Sequence, residues 1–205
     1  MGNEMSGKTA LRAELLAARR LLSAEDVRGA ATDLARHALL LPELAEAGTV
    51  AAYVSVGREP GTRALLDALH ARGTRVLLPV LLPDNDLDWG AYRGSDHLVP
   101  AGRGLLEPDG ERLGPEAVVG ADAVLLPGLA VDGLGMRLGR GGGSYDRVLA
   151  RLTAADADPA LVVLLYANEV VERVPVEPHD HPVHAVVTPQ GVRRFTEPAR
   201  PAGRA

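Results

Sequence analysis

Two short stretches, "ADAVLLP" at 121–127 and "ALVVLLYA" at 160–167, are almost unbroken apolar runs bounded by breakers. A strand with one wet face alternates apolar and polar residues, so a continuous apolar run of this length belongs to a strand covered on both faces. That condition is met where crossover helices lie above and below a parallel sheet. The neighbouring sequence supplies the helices. "TVAAYVS" (49–55) and "TRVLLPV" (74–80) read as strands around "TRALLDALHARG" (62–73), a helix with Thr62 as its cap and Gly73 as its stop. "LDWGAYR" (87–93) and "HAVVT" (184–188) read as further strands, and residues 94–118 as loop-rich. The predicted fold is a Rossmann-like three-layer α/β/α arrangement with a mainly parallel central sheet.

Ahead of the first strand, Leu11, Leu15, Ala18 and Leu22 recur at helical spacing, which places Lys8 and Arg12 one turn apart on one face. Ser23, followed by Glu25 and Asp26, reads as the N-cap of a second helix with Val27, Ala31, Leu34 and Ala38 on its apolar side and Pro42 closing it. At 205 residues the chain is expected to form one domain over 1–205, with a frayed tail from 196. No segment approaches the roughly 20 apolar residues of a membrane span, and residues 1–22 carry no uninterrupted apolar run of signal-peptide length. A cytoplasmic protein without membrane contact, acting as a monomer, is expected. The net charge of -5 gives no electrostatic reason for a nucleic-acid partner. The absence of cysteine excludes disulfides, thiolate nucleophiles, iron–sulfur clusters and zinc held by sulfur. Of the 22 basic side chains other than histidine, only Lys8 is a lysine, which suits a place where a compact ammonium meets phosphate oxygens.

The most unusual segment lies between Pro127 and Ser144. Its 16 residues include Gly128, Gly133, Gly135, Gly139, Gly141, Gly142 and Gly143. Strand-to-helix connections commonly take about 2–6 residues, so this one is too long to be only a connector. It also falls at the carboxyl end of a strand, where ligands bind in α/β sheets. Glycines let backbone N–H groups crowd an anion, and the helix opening at "SYDRVLARL" directs its positive end to the same place, with Arg137 and Arg140 adding charge. The segment reads as a phosphate cradle; the competing reading is a surface loop with solvated arginines. No lysine is present for G-x-x-x-x-G-K-[ST], and a G-x-G-x-x-G started at Gly139 and Gly141 meets Ser144 at its third glycine.

"KTALR" (8–12), "YVSVGREPGT" (53–62), "LLEP" (105–108), "LLPGLAVDGLGMRLGRGGGSYDR" (125–147) and "VPVEPHDHPVHAVVT" (174–188) together, in this order, closely resemble the 5-formyltetrahydrofolate cyclo-ligase family. The resemblance implies an α/β enzyme that couples ATP cleavage, with Mg²⁺, to closure of 5-formyltetrahydrofolate into 5,10-methenyltetrahydrofolate. It implies Lys8, Arg140 and Tyr145 as catalytic groups. ATP contacts carry over to Lys8, Thr9, Ala10, Leu11 and Arg12, and to Arg137, Leu138, Gly139, Arg140, Gly141, Gly142, Gly143, Ser144 and Tyr145. Folate contacts carry over to Val54, Glu59, Arg140, Gly141, Gly142, Gly143 and Ser144, and magnesium to Asp146 and Asp180. Ser144 stands where the family usually carries tyrosine, removing a ring beside the folate; serine there also suits a helix N-cap.

Several of these residues have plainer readings. Asp146 in a first helical turn stabilises the helix without any metal, and Glu59 before Pro60 can be a solvated turn residue. Asp180 can cap a turn. His179, His181 and His184 on a proline-rich segment suit solvent better than zinc, and Trp89 suits packing better than pterin stacking. Two rival functions follow: a non-catalytic phosphate-binding relative, favoured by Ser144, and a nicotinamide-dependent oxidoreductase, disfavoured by the missing third glycine.

Overall fold

The structure is a computed structural model that describes residues 2–177 and 180–195. His179 and the tail from 196 lie outside the described residues. The chain opens with helix α1 (Gly2–Leu21), α2 (Ala24–Ala38) and the short α3 (Pro42–Ala45). Strand β1 (Thr49–Ala51), helix α4 (Arg63–Ala71) and strand β2 (Arg75–Leu81) form the predicted βαβ unit, and β3 (Leu87–Ala91) returns antiparallel to β2. A small hairpin of β4 (Leu98–Pro100) and β5 (Leu106–Pro108) follows, then β6 (Ala123–Leu126). A second hairpin, β7 (Ala130–Val131) with β8 (Arg137–Leu138), precedes α5 (Ser144–Ala154), β9 (Ala160–Leu164), β10 (Ala185–Thr188) and β11 (Gly191–Arg194).

Seven strands make the central sheet in the order β11-β10-β9-β6-β1-β2-β3, parallel except at its two antiparallel edges. Side chains alternate between its faces as the two-residue period requires. Val50, Val76, Leu78, Leu125 and Val162 meet α2, α3 and α4 through Leu34, Leu44, Leu65, Leu66 and Leu69. Ala51, Leu77, Val124, Leu126 and Val163 meet Val148, Leu149 and Leu152 of α5 on the other side. The two apolar runs are thus central strands covered above and below. From β1 the chain winds first toward β2 and later back across to β6, so β1 and β6 form a topological switch point, beyond whose carboxyl ends a crevice opens.

Local chemistry explains where the elements depart from the sequence reading. Ser23 caps α2 as expected, in a capping box with Asp26. Pro42 does not close that helix. The helix ends at Ala38, and Pro42 instead opens α3, where its missing N–H costs nothing. Thr62 sits at the N-cap of α4 without a side-chain capping bond; it exchanges hydrogen bonds with Ser55, each hydroxyl accepting from the other's N–H at 2.9 and 3.1 Å. The strand expected over 49–55 stays in the ladder only to Ala51, and its continuation becomes cavity wall. The segment read as loop-rich holds the β4–β5 hairpin and 3₁₀ turns.

Candidate active site

Helix α1 rests on the β7–β8 hairpin through Leu15, which packs with Leu129, Ala130, Leu138 and Val174. At its far end the buried Arg19 donates to both carboxylate oxygens of Glu169, at 2.6 and 3.0 Å, and to the Gly128 carbonyl at 2.8 Å. These contacts fix the helix carrying Lys8 and Arg12 against the glycine-rich segment. That segment is not irregular throughout. Asp132 folds it, its Oδ1 accepting from the N–H groups of Leu134 and Met136 and its Oδ2 from that of Val174.

Two cavities meet at the end of this segment. The first, about 320 Å³, is walled by Tyr53, Val54, Val56 and Glu59 beyond β1, by Pro79, Leu81 and Leu87, by Leu105 and Leu106, and by residues 139–146. The second, about 290 Å³, is walled by Lys8, Thr9 and Arg12 of α1, by Glu177 and Asp180, and by the opposite side of the segment, including Leu138. Arg137, Gly139, Gly141, Gly143 and Asp146 line both. They form a shared wall.

Charge is concentrated in the second cavity. The buried Lys8 ammonium donates to Glu177 at 2.7 Å and Asp180 at 2.9 Å. Burial alone would lower its pKa, but the two carboxylates outweigh burial and raise it, so the ammonium stays charged. Arg12 donates from Nε to the Gly139 carbonyl at 2.9 Å. Gly141 lies beside it at φ +91°, where a Cβ would come within 3.4 Å of the guanidinium carbon. Arg137 is buried in the shared wall. Its Nη1 donates to the Pro127 carbonyl at 2.8 Å, its Nη2 lies 3.7 Å from Asp146, and its Nε has no partner. Burial lowers its pKa, with Asp146 acting in the opposite sense.

The first cavity sets its polar groups among a largely apolar lining. Glu59 is buried; its Oε2 accepts from the Val56 N–H at 2.8 Å and its Oε1 lies 3.2 Å from Arg140. The Tyr145 hydroxyl is buried without a partner, and burial raises its pKa, so it remains a proton donor. Helix α5 is capped by Gly143 at φ +77° with no side-chain hydrogen bond, which leaves its first-turn N–H groups to an anion or to solvent. Ser144 is therefore the first helical residue and not the cap.

Most residues singled out in the sequence converge here. The exceptions are informative. Ala10 is exposed, Leu11 packs in the core beneath α1, and neither lines a cavity. Arg140, read as a contact of both phosphate and folate, lines only the first cavity and is turned to Glu59. Gly142, Ser144 and Tyr145 likewise line only the first. Trp89 is fully buried in the core, and His184 accepts from the Leu161 N–H at 2.8 Å, which makes it part of the strand edge instead of a solvated segment. Sequence reasoning missed Arg19, Glu169, Asp132 and Glu177; the Asp132-Gly133 pair was a turn signal within the segment read as loop.

Residues 4–189 match the sequence profile of the 5-formyltetrahydrofolate cyclo-ligase family. The chain belongs to that family. The 5-formyltetrahydrofolate cyclo-ligase of Mycolicibacterium smegmatis is 46% identical over 147 residues, covering 69% of this chain and 74% of that protein. The Escherichia coli K12 cyclo-ligase is 34% identical over 176 residues, covering 85% and 96%. Among solved structures, the Aquifex aeolicus 5,10-methenyltetrahydrofolate synthetase superposes with a TM-score of 0.78 at 30% identity, covering 96% of each chain. Membership in the cyclo-ligase family makes the chain a ligase that forms a C–N bond, and it implies the use of ATP. No helix among the described residues is long and apolar enough to cross a membrane.

The second cavity fits a magnesium-bound polyphosphate. Ammonium and guanidinium groups suit phosphate oxygens, and the partnerless Arg137 Nε is a donor awaiting an acceptor. The carboxylates of Asp146 and Asp180 offer hard oxygen atoms beside them. No cluster of three or more metal-ligating side chains exists among the described residues. Magnesium does not need one, since it usually takes one or two carboxylates and completes its shell with phosphate and water.

Proposed function

We propose that this cyclo-ligase converts 5-formyltetrahydrofolate to 5,10-methenyltetrahydrofolate, with folate in the first cavity and the ATP phosphates in the second. The observation that carries this assignment is the shared wall of Arg137, Gly139, Gly141, Gly143 and Asp146. A formamide oxygen is a poor leaving group; its attack on the γ-phosphorus of ATP forms an O–P bond, breaks the bond to ADP and turns it into a good one. N10 then attacks the activated carbon to form the new C–N bond and gives up its proton, and the C–O bond breaks as inorganic phosphate departs. The two reactants must therefore face each other across a boundary that admits one oxygen and one phosphorus.

The residues divide this work. Lys8 and Arg12 hold phosphate oxygens on one side, and Arg137, whose side chain is 8% exposed, places fixed positive charge where the transferring group passes. Asp146 and Asp180 would hold Mg²⁺, which supplies further neutralisation of the phosphates. Glu59 accepts hydrogen bonds from pterin N–H groups, Arg140 orients its carboxylate, and Tyr145 donates from a protonated hydroxyl. The apolar walls at Leu81, Leu105 and Leu106 exclude water from the activated carbon. The matched relatives are cyclo-ligases and the matched solved structure a methenyltetrahydrofolate synthetase, which supports the catalytic reading over the non-catalytic one. The G-x-G-x-x-G reading fails as well, because Gly139 follows a hairpin strand and not the first strand of a βαβ unit.

The test is the near-ultraviolet absorbance of the methenyl product when purified protein meets 5-formyltetrahydrofolate with and without MgATP. An ATP-dependent rise is expected. A flat trace from protein shown separately to bind MgATP would overturn the assignment.

A further inference from the structure

The first cavity is lined by three cations: Arg137, Arg140 and Arg103. Arg137 is buried in the shared wall and bonded to the Pro127 carbonyl, and Arg140 is turned to Glu59. Arg103 differs from both. It is exposed, and among the described residues its bonding is a single contact, from Nη1 to Asn85 Oδ1 at 3.1 Å.

Its backbone is also unusual. Asn85, Arg103 and Asp156 are the three non-glycine residues with positive φ among those described, and two of them, Asn85 at 66° and Arg103 at 61°, are the pair bonded here. Arginine adopts this region reluctantly and glycine freely. The surroundings hold it there. Arg103 lies in the turn of the β4–β5 hairpin, closed by the Leu105 N–H to Gly102 carbonyl bond at 3.2 Å, and Glu107 ties the hairpin to the end of β2 by accepting from the Leu81 N–H at 3.0 Å. Asn85 sits in the β2–β3 turn, its own N–H bonded to the Leu82 carbonyl. A strained arginine steered by a strained asparagine suggests a functional placement of the guanidinium.

The substrate's chemistry says what that placement serves. This step rests on the assignment of folate to the first cavity. The formyl oxygen must reach the shared wall, so the pterin lies there, beside Glu59 and Arg140. The apolar benzoyl portion then spans the leucine-lined middle, and the glutamate, with two carboxylates, extends away from the glycine segment toward the hairpin. We infer that Arg103 is the residue that receives the glutamate carboxylates of the folate substrate. Asn85 occupies one guanidinium donor and leaves the others for a carboxylate. Arg103 is a binding residue for the tail and takes no part in the chemistry.

The experiment compares two substrates in two proteins. The substrates are 5-formyltetrahydrofolate and its analogue with both glutamate carboxylates converted to amides. The variant is Arg103→Gly, which removes the guanidinium while suiting the positive φ. In the wild type the diamide should bind about tenfold more weakly than the dicarboxylate. In Arg103→Gly the two should bind alike, both at the weaker level, with the KM for ATP unchanged. Retention of the wild-type preference at undiminished affinity in the variant would assign the tail to another cation. Equal weakening of both substrates would make Arg103 part of the cavity wall only. If the wild type binds neither substrate, the folate assignment itself falls and takes this inference with it.

Discussion

Replacing Arg19 with methionine tests whether the site is held together by one buried ion pair. The Arg19 and Glu169 side chains are 5% and 1% exposed, so solvent screens their interaction hardly at all. Methionine fills much of the arginine volume but leaves Glu169 buried without a cation, and the Gly128 carbonyl loses a donor. Breaking a buried pair from one side costs about 3–5 kcal/mol. At roughly 2–4 °C per kcal/mol for a chain of this size, the melting temperature should fall by about 6–20 °C. The double variant Arg19→Met, Glu169→Leu removes both charges and should recover most of that loss, because a buried pair is often no better than an apolar substitute. The pH dependence follows from Glu169. Burial raises its pKa above 4.5 even against the pull of Arg19, and removing Arg19 raises it further. A carboxyl whose folded pKa is raised penalises the fold as pH rises through the gap between its unfolded and folded values. The deficit of the single variant should therefore be full above the raised folded pKa and shrink as pH falls through it toward the ordinary value of 4.5. Circular-dichroism melts of wild type, both single variants and the double variant give the coupling energy. A loss below about 1 kcal/mol for Arg19→Met, or strict additivity of the two changes, would refute the reasoning.

Lys8→Met leaves Glu177 and Asp180 facing each other without the ammonium, and should raise the KM for ATP at least about tenfold while circular dichroism stays unchanged; an unaltered KM removes Lys8 from phosphate binding. Asp146→Asn should shift the magnesium titration of turnover to higher concentration, and an unchanged titration counts against the acid as a ligand. Glu59→Gln should weaken folate binding by about tenfold and spare ATP, read by separate KM values for the two substrates.

The sheet was legible because burial on both faces writes itself into a strand as an unbroken apolar run. Leu125, Val162 and Val163 needed no context to be placed inside. The glycine segment was legible as a site by its length and composition, yet its internal hairpin was not. Two-residue strands such as Ala130–Val131 carry no period, and Asp132, which organises the turn, looks in sequence like any Asp-Gly pair. The direction of a long side chain is equally silent. Arg137 and Arg140 stand three residues apart in one charged stretch, yet one is bonded to the Pro127 carbonyl in the shared wall and the other is turned to Glu59. Arg19 and Glu169 are 150 positions apart, each surrounded by similar residues, so nothing local marks them as partners. Local physics thus gave the layers and the neighbourhood of the site, while long-range pairing decided which group faces which cavity.

The contact of Lys8 with Glu177 and Asp180 joins residues 169 and 172 positions apart. A chain growing on a ribosome makes the helix that carries Lys8 among its first segments and the two acids that meet it nearly last. A polypeptide halted before Glu177 can own the whole glycine segment and still lack the acids that line the second cavity. That cavity is complete only when the chain has been made through Asp180 and folded back on its beginning.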